Sequence, residues 1–290
     1  MPSHTEPLTP NALREWPLPS GAGSKYDRGA ILVVGGARRS PGAAMLAGLA
    51  ALRVGAGRLT IAVAESVAIG VAVAVPESGV IGLAEDAAGS VRGNGLDRLE
   101  DELARADAVV VGPGLDDAHE AITLVSELPK LVGRSTLVLL DAYALAAIPH
   151  VVEQVGELRG RLVLTPNEGE ASRLLGRDLE DRADDLRRIA ERFGAVVTSF
   201  GHIAAPDGRM WVDDSGQGGL GTSGSGDVLA GAIGGLLARG ASVEQAACWG
   251  THLHAASGDR LAARIGPTGY LARELVDELP SVLQELGQQV

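Results

Sequence analysis

The run Gly219-Leu220-Gly221-Thr222-Ser223-Gly224-Ser225-Gly226-Asp227, followed by Val228-Leu229-Ala230-Gly231, has the residue types of an anion site. Glycines let the backbone approach a ligand closely and adopt conformations other residues avoid. The apolar residues behind them predict a helix. The first turn of a helix offers N–H groups without partners and the positive end of a dipole. Asp227 puts a carboxylate at the same spot. An acid beside a phosphate cradle is electrostatically unfavourable, so it points to a task. That task is taking a proton from a hydroxyl that attacks, or leaves with, a phosphoryl group. One preorganised donor facing a developing charge contributes about 2.7–4 kcal/mol. The helix dipole contributes about 0.3–1 kcal/mol at exposed sites. The amides of Ser225 to Asp227 should therefore matter more than the dipole.

Short apolar runs separated by helical segments must position this loop. Ala30–Val34 reads as a buried strand ending at Gly35-Gly36. Ser40 and Pro41 then suit the N-cap and first position of a helix. Further strands are expected at 58–64, 108–111, 136–140, 161–164 and 195–198. A hairpin is expected at 203–212, turned by Asp207-Gly208. A helical turn is expected at 12–15. Longer helices are expected at 168–175, 227–238, 243–263 and 270–279. Continuous apolar strands alternating with helices imply a mostly parallel sheet covered on both faces, an α/β architecture. Residues 1–25, rich in proline, read as an N-terminal arm. Residues 26–290 show no linker and no internal repeat, so they read as a single domain.

Several motifs stand just after predicted strands: Gly35-Gly36, Gly112-Pro113-Gly114, Asp141 and Asn167. In open α/β sheets ligands bind at that edge. Each also has an ordinary reading. The glycine motifs can be tight turns. Asp141 favours capping the following helix. Asn167 can be an N-cap, with Glu168 and Glu170 as partners of the helix dipole. Either acid could instead hold Mg²⁺. His252 and His254 are two apart on a predicted helix and do not share a face, so no shared metal is expected. His254 with Asp259 could form a structural pair.

Composition narrows the classes. Of 290 residues 46% are hydrophobic and only 3% aromatic, so the core must be built from Ala, Val, Leu and Ile. The formal net charge of −12 argues against nucleic-acid or anionic-membrane binding. A nucleotide remains compatible, because backbone amides can neutralise a phosphate locally. One cysteine, Cys248, allows no intrachain disulfide. No secretory or membrane-spanning segment is visible. Both fit a cytoplasmic protein.

Taken in order, these motifs resemble the ribokinase-like superfamily, with its three-layer α/β/α fold. More closely, the chain is similar to the ADP-dependent NAD(P)H-hydrate dehydratases. The resemblance runs from about Asp27 to Leu279. It is carried by Gly35-Gly36, Pro41-Gly42-Ala43-Ala44, Leu52 to Gly57, Pro76-Glu77, Gly112-Pro113-Gly114-Leu115, Asp141-Ala142, Thr165 to Glu170 with Leu174-Leu175-Gly176, the Gly224–Gly231 block, and His254 through Gly258-Asp259. It implies repair of hydrated NADH or NADPH. The ring hydroxyl is phosphorylated from ADP, and phosphate elimination restores the ring, leaving AMP and phosphate. It further implies Asp227 as the base, contacting the substrate hydroxyl. Gly224, Ser225, Gly226, Ser199, Gly201 and His202 would contact nucleotide or phosphate. Ala43, Gly114 and Asn167 would contact the hydrated dinucleotide. Mg²⁺ is the implied cofactor, with Glu170 reaching it through water. A homo-oligomer and a separate hydrate epimerase are implied partners.

The chain departs from the family pattern at four places. Asn167 replaces the usual His, keeping hydrogen bonding and losing titration. Tyr26-Asp27-Arg28-Gly29 replaces His-Lys-Gly. Asp141-Ala142-Tyr143 replaces Asp-Ala-Asp. Thr198-Ser199-Phe200-Gly201-His202 has no lysine where relatives place one against nucleotide. Two other readings stay open. One is a kinase for a thiazole or pyrimidine alcohol. The other is a non-catalytic nucleotide-binding homologue.

Overall fold

The computed structural model describes residues 5–20, 23–216 and 219–287. Residues 1–4 and 21–22 of the expected arm, and 217–218 and 288–290 of the expected domain, lie outside the described residues. Ten strands make one sheet. They are β1 (Thr5–Pro7), β2 (Ala30–Val34), β3 (Arg58–Ala64), β4 (Ser78–Leu83), β5 (Ala108–Val111), β6 (Leu137–Leu140), β7 (Leu162–Leu164), β8 (Val196–Ser199), β9 (His202–Ala204) and β10 (Met210–Val212). Their order is β1-β10-β9-β8-β7-β6-β5-β2-β3-β4. Among the described strands only β9 runs against its neighbours. All the other pairings are parallel.

The helices are α1 (Pro10–Glu15), α2 (Pro41–Arg53), α3 (Glu65–Ala74), α4 (Glu100–Arg105), α5 (Ala118–Leu131), α6 (Tyr143–Ala147), α7 (Val152–Gly156), α8 (Glu168–Leu175), α9 (Arg182–Phe193), α10 (Ser225–Ala238), α11 (Val243–Arg264) and α12 (Ala272–Glu285). Strand residues alternate between two buried faces. Ile31, Val33, Ile61, Val110 and Leu139 pack with α2, α10, α11 and α12 on one side. Leu32, Val34, Val109, Val111 and Leu140 pack with α5, α8 and α9 on the other. That gives three layers, the α/β/α arrangement expected of a sheet buried on both faces.

The expected strands and the hairpin are present, with ends shifted by a residue. Two strands were not anticipated. β4 carries two glycines among six residues, which hides its strand pattern. β1 lies in the segment read as an arm. It pairs with β10, and Leu8, Leu13 and Leu18 beyond it are buried. Burying each leucine contributes about 1.5–3 kcal/mol. Gln245 Nε2 and Trp249 Nε1 donate to the Trp16 carbonyl, fixing this segment to α11. The last helix continues past Pro280 to Glu285, six residues beyond the expected end.

The strand order reverses between β2 and β5, so the loops after these two strands open a crevice at the carboxyl edge. α2 follows β2 from that edge, and α10 packs beside it. Their contact is unusually close. A Cβ at Gly231 would stand 2.1 Å from the Ala47 carbonyl oxygen, and one at Gly235 2.6 Å from the Ala51 Cα. Substituting Gly231→Ala must push α10 from α2. We expect this variant to lose roughly 1–3 kcal/mol of stability, read as a lowered thermal midpoint. An unchanged midpoint would show that this contact does not set the helix position.

Candidate active site

Loops from β2 and β5 meet first. Gly36 N donates to the Pro113 carbonyl at 2.8 Å, and Ala37 N to the Gly114 carbonyl at 2.8 Å. The Ser40 hydroxyl also donates to the Gly114 carbonyl at 2.8 Å. Ser40 occupies the N-cap position with Pro41 behind it, yet makes no side-chain cap. The expected capping role of this hydroxyl is thus corrected: stitching the two loops outcompetes it. The stitching brings Ala43 and Gly114 into contact, two of the expected substrate residues.

The carboxyl ends of β6 and β7 follow. Asp141 was expected to cap a helix. Instead Ala142 holds the N-cap position of α6, at φ 50°. The Asp141 carboxylate, 7% exposed, accepts the Thr165 hydroxyl at 2.8 Å. Burial lifts its pKa to about 8. The Thr165 hydrogen bond opposes the shift, and the charges of Asp227 and Glu170 reinforce it. Asp141 is therefore protonated at neutral pH and offers a proton donor at the sheet edge. Asn167 does cap α8. Its Oδ1 accepts from Glu170 N at 2.9 Å, and Glu170 Oε2 accepts from Asn167 N at 2.9 Å. This capping box engages the Asn167 amide oxygen and leaves its NH₂ to donate elsewhere. One Glu170 oxygen stays outside the box.

Opposite these loops stands the N-terminus of α10. Gly224 caps it at φ 87°, a conformation glycine adopts without strain. Ser225 N donates to the Thr222 carbonyl. That corrects the expectation of three free amides: among the described residues, those of Gly226 and Asp227 remain unpartnered. Nothing stands within 4 Å of where a Gly226 Cβ would be, so this turn is open above. Burial raises the pKa of Asp227 to about 6. That is near the operating pH of a general base.

Behind the cradle the helix histidines have separate partners. His254 Nε2 lies 2.8 Å from the Ser225 hydroxyl, with both residues buried. Burial lowers the His254 pKa to about 4, so this contact keeps a neutral imidazole. The expected pairing of His254 with Asp259 is not formed, and Asp259 accepts from Gly216 N instead. His252 Nδ1 pairs with Asp213 Oδ2 at 2.9 Å. Burial would raise the Asp213 pKa, but hydrogen bonds from His252 and Ser215 outweigh it and hold the carboxylate ionised. The Ser225–His254 contact was not foreseen, because its partners are 29 residues apart and on different helices.

The remaining expected contacts, Ser199, Gly201 and His202, form the tip of the β8–β9 hairpin at the same edge. The Ser199 hydroxyl is buried and donates to the Pro166 carbonyl at 2.6 Å. The Gly201 carbonyl accepts from Asp213 N. His202 Nδ1 sits 3.2 Å from the Phe200 carbonyl. Ser199 thus sits against the loop that carries Asn167 and is committed to holding the fold, while Gly201 bonds to Asp213 and His202 stays within the hairpin tip. No group of three or more His, Cys, Asp or Glu able to hold a metal occurs among the described residues.

Comparison with known proteins agrees with this geometry. Residues 31–281 match the family model described as NAD(P)H-hydrate dehydratase. The chain is 44% identical over 288 residues to an ADP-dependent (S)-NAD(P)H-hydrate dehydratase of Xanthomonas campestris pv. campestris, covering 96% of each. It is 38% identical to the bifunctional NAD(P)H-hydrate repair enzyme Nnr of Moorella thermoacetica, of which it spans 53%. Among solved structures it is similar to the ADP/ATP-dependent NAD(P)H-hydrate dehydratase of Bacillus subtilis co-crystallised with ATP/Mg²⁺. There the identity is 27% and the TM-score 0.79, covering 97% of this chain and 98% of the other. With the family model matched over residues 31–281 and 44% identity over nearly the whole of a curated member, the chain belongs to the NAD(P)H-hydrate dehydratase family.

Proposed function

We propose that the protein dehydrates (6S)-hydrated NADH and NADPH, using ADP as phosphoryl donor. The observation that carries the reading is Asp227. It is a base with its pKa near 6, on the first turn of a helix whose free amides face an open crevice. Asp227 takes the proton of the ring hydroxyl, and that oxygen attacks the terminal phosphorus of ADP. The bond to AMP breaks. Phosphate then leaves with the C–O electron pair, pushed by the ring nitrogen. The neighbouring ring carbon gives up a proton, and the dihydronicotinamide returns. The amides of Gly226 and Asp227 take up charge on the transferred group. Asn167, left with an amide NH₂, donates to the substrate and moves no proton.

Glu170 is the acid that fits a magnesium ion arriving with the nucleotide: it is a hard oxygen ligand and would hold the ion through water, using its oxygen outside the capping box. The ion supplies charge neutralisation on the phosphates. Exposed Ile69 and Val73 on α3, 81% and 78% accessible, support assembly with further copies. A separate epimerase would interconvert the hydrate stereoisomers. A cytoplasmic location fits a chain with one cysteine, Cys248.

Four measurements test this reading and the electrostatics behind it. Incubation of hydrated NADH with Mg²⁺, ADP and the protein restores the near-ultraviolet absorbance of the reduced ring. Asp227→Asn lowers that rate at least about 100-fold while ADP still binds. An accumulating phosphorylated product would instead indicate a kinase. The kcat/KM rises with pH as Asp227 loses its proton near pH 6, and a profile flat from pH 5 to 7 would remove it as the base. Asp141 has its folded pKa raised above 3.8, so the folded state holds the extra proton. Its contribution to stability is full below about 3.8 and is lost as pH rises through about 8. Asp141→Asn should therefore flatten the fall in thermal midpoint across that window, and an unaltered slope would contradict the shift.

A further inference from the structure

The first turn of α10 has an anchor but no side-chain cap. A helix start is commonly fixed by an N-cap Ser, Thr, Asp or Asn, whose side chain bonds a free amide. Here Gly224 takes that position and makes no such bond. A capping side chain would fill the space an anion needs above the amides of Gly226 and Asp227. The turn is fastened on its buried side instead. The hydroxyl of Ser225, the first residue of α10, meets His254 Nε2 at 2.8 Å. Ser225 and His254 are 4% and 8% exposed, so water does not compete for this bond.

The imidazole has little room to withdraw. Gly250, His254 and Gly258 recur at four-residue spacing and share one face of α11. A Cβ at Gly250 would stand 2.5 Å from Ile233 Cγ1 of α10. One at Gly258 would stand 2.6 Å from Leu220 Cδ2, in the loop that leads into α10. The two glycines thus let α10 and that loop close onto α11 on either side of His254. Between them, His254 is the polar residue of this stripe. Burial keeps its ring neutral. Either tautomer then completes the bond, because a hydroxyl can donate or accept. A neutral anchor offers no charge to pair with Asp227, two residues beyond Ser225.

We propose that His254 is a positioning residue for the phosphate cradle: through the Ser225 hydroxyl it fixes, from behind, the amides of Gly226 and Asp227 and the direction of the Asp227 carboxylate. This rests on the reading of that turn as the place where the phosphoryl group is transferred. His254 itself touches neither substrate nor nucleotide and acts through Ser225.

The test compares His254→Leu, Ser225→Ala, the double variant and His254→Gln in the full chain. It reads kcat and KM with hydrated NADH, ADP and Mg²⁺, the Kd for inorganic pyrophosphate by calorimetry, and the thermal midpoint. Each single loss should lower kcat about 10- to 100-fold and keep KM for hydrated NADH within about twofold. The Kd for pyrophosphate should rise about two- to tenfold. The double variant leaves neither partner unpaired, so its midpoint should return close to that of the wild type while kcat stays as low as in the single variants. The Gln amide reaches the place of Nε2, so His254→Gln should hold kcat within about threefold of the wild type. A double variant whose kcat recovers with its midpoint overturns the inference, because the bond then serves only the fold. So does His254→Gln as slow as His254→Leu, or single variants with unchanged kcat. Should the double variant fail to fold, the comparison of His254→Gln with His254→Leu decides alone. A wild-type chain that turns over no hydrated NADH overturns the proposed function instead, and the pyrophosphate titration still reads the anchor.

Discussion

The site depends on the close contact between α2 and α10. Gly231 and Gly235 on one helix meet the backbone at Ala47 and Ala51 on the other. Only residues without bulk allow that approach. The contact places the loop before α2 and the first turn of α10 side by side. One carries Ala43 and joins Gly114. The other carries Gly224 to Asp227. The β2 and β5 loops and the first turn of α10 are thus positioned by a single interface, beside the switch in strand order between β2 and β5.

The same burial that positions the acids also tunes them. Desolvation alone brings Asp227 near neutrality. Asp141, deeper and facing other carboxylates, is pushed further and stays protonated. Two acids at one edge therefore differ in protonation because their surroundings differ. The neutral His254 behind Ser225 adds no charge to the cradle. The paired Asp213 keeps its charge against His252, away from the reacting groups.

Much of this was legible in the residues. Buried parallel strands show as apolar runs, and the loops after them announce themselves by glycine and by Asp141 and Asn167. The Gly224–Asp227 block was legible as a glycine-capped helix start with an acid in its first turn. The hidden parts are those with partners distant in sequence. Ser40 looked like a cap and became a bridge to Gly114, 74 residues away. Asp141 looked like a cap and became the acceptor of Thr165. β1 was masked by its short length and prolines, since a three-residue strand forms only because β10 offers an open edge. His254 was paired with the wrong residue, because helical spacing does not tell which neighbouring helix a side chain meets.

The glycine–alanine seam between α2 and α10 has a consequence for selectivity. Its geometry is written in backbone atoms, with no rotamers to reorganise. Backbone amides held in this way can read an anion by charge and shape and carry no information about the group beyond it. Discrimination between one nucleoside and another must therefore arise elsewhere along the edge, where side chains vary. Any preference among nucleotides is thus set by side chains outside this seam, to which the seam itself is indifferent.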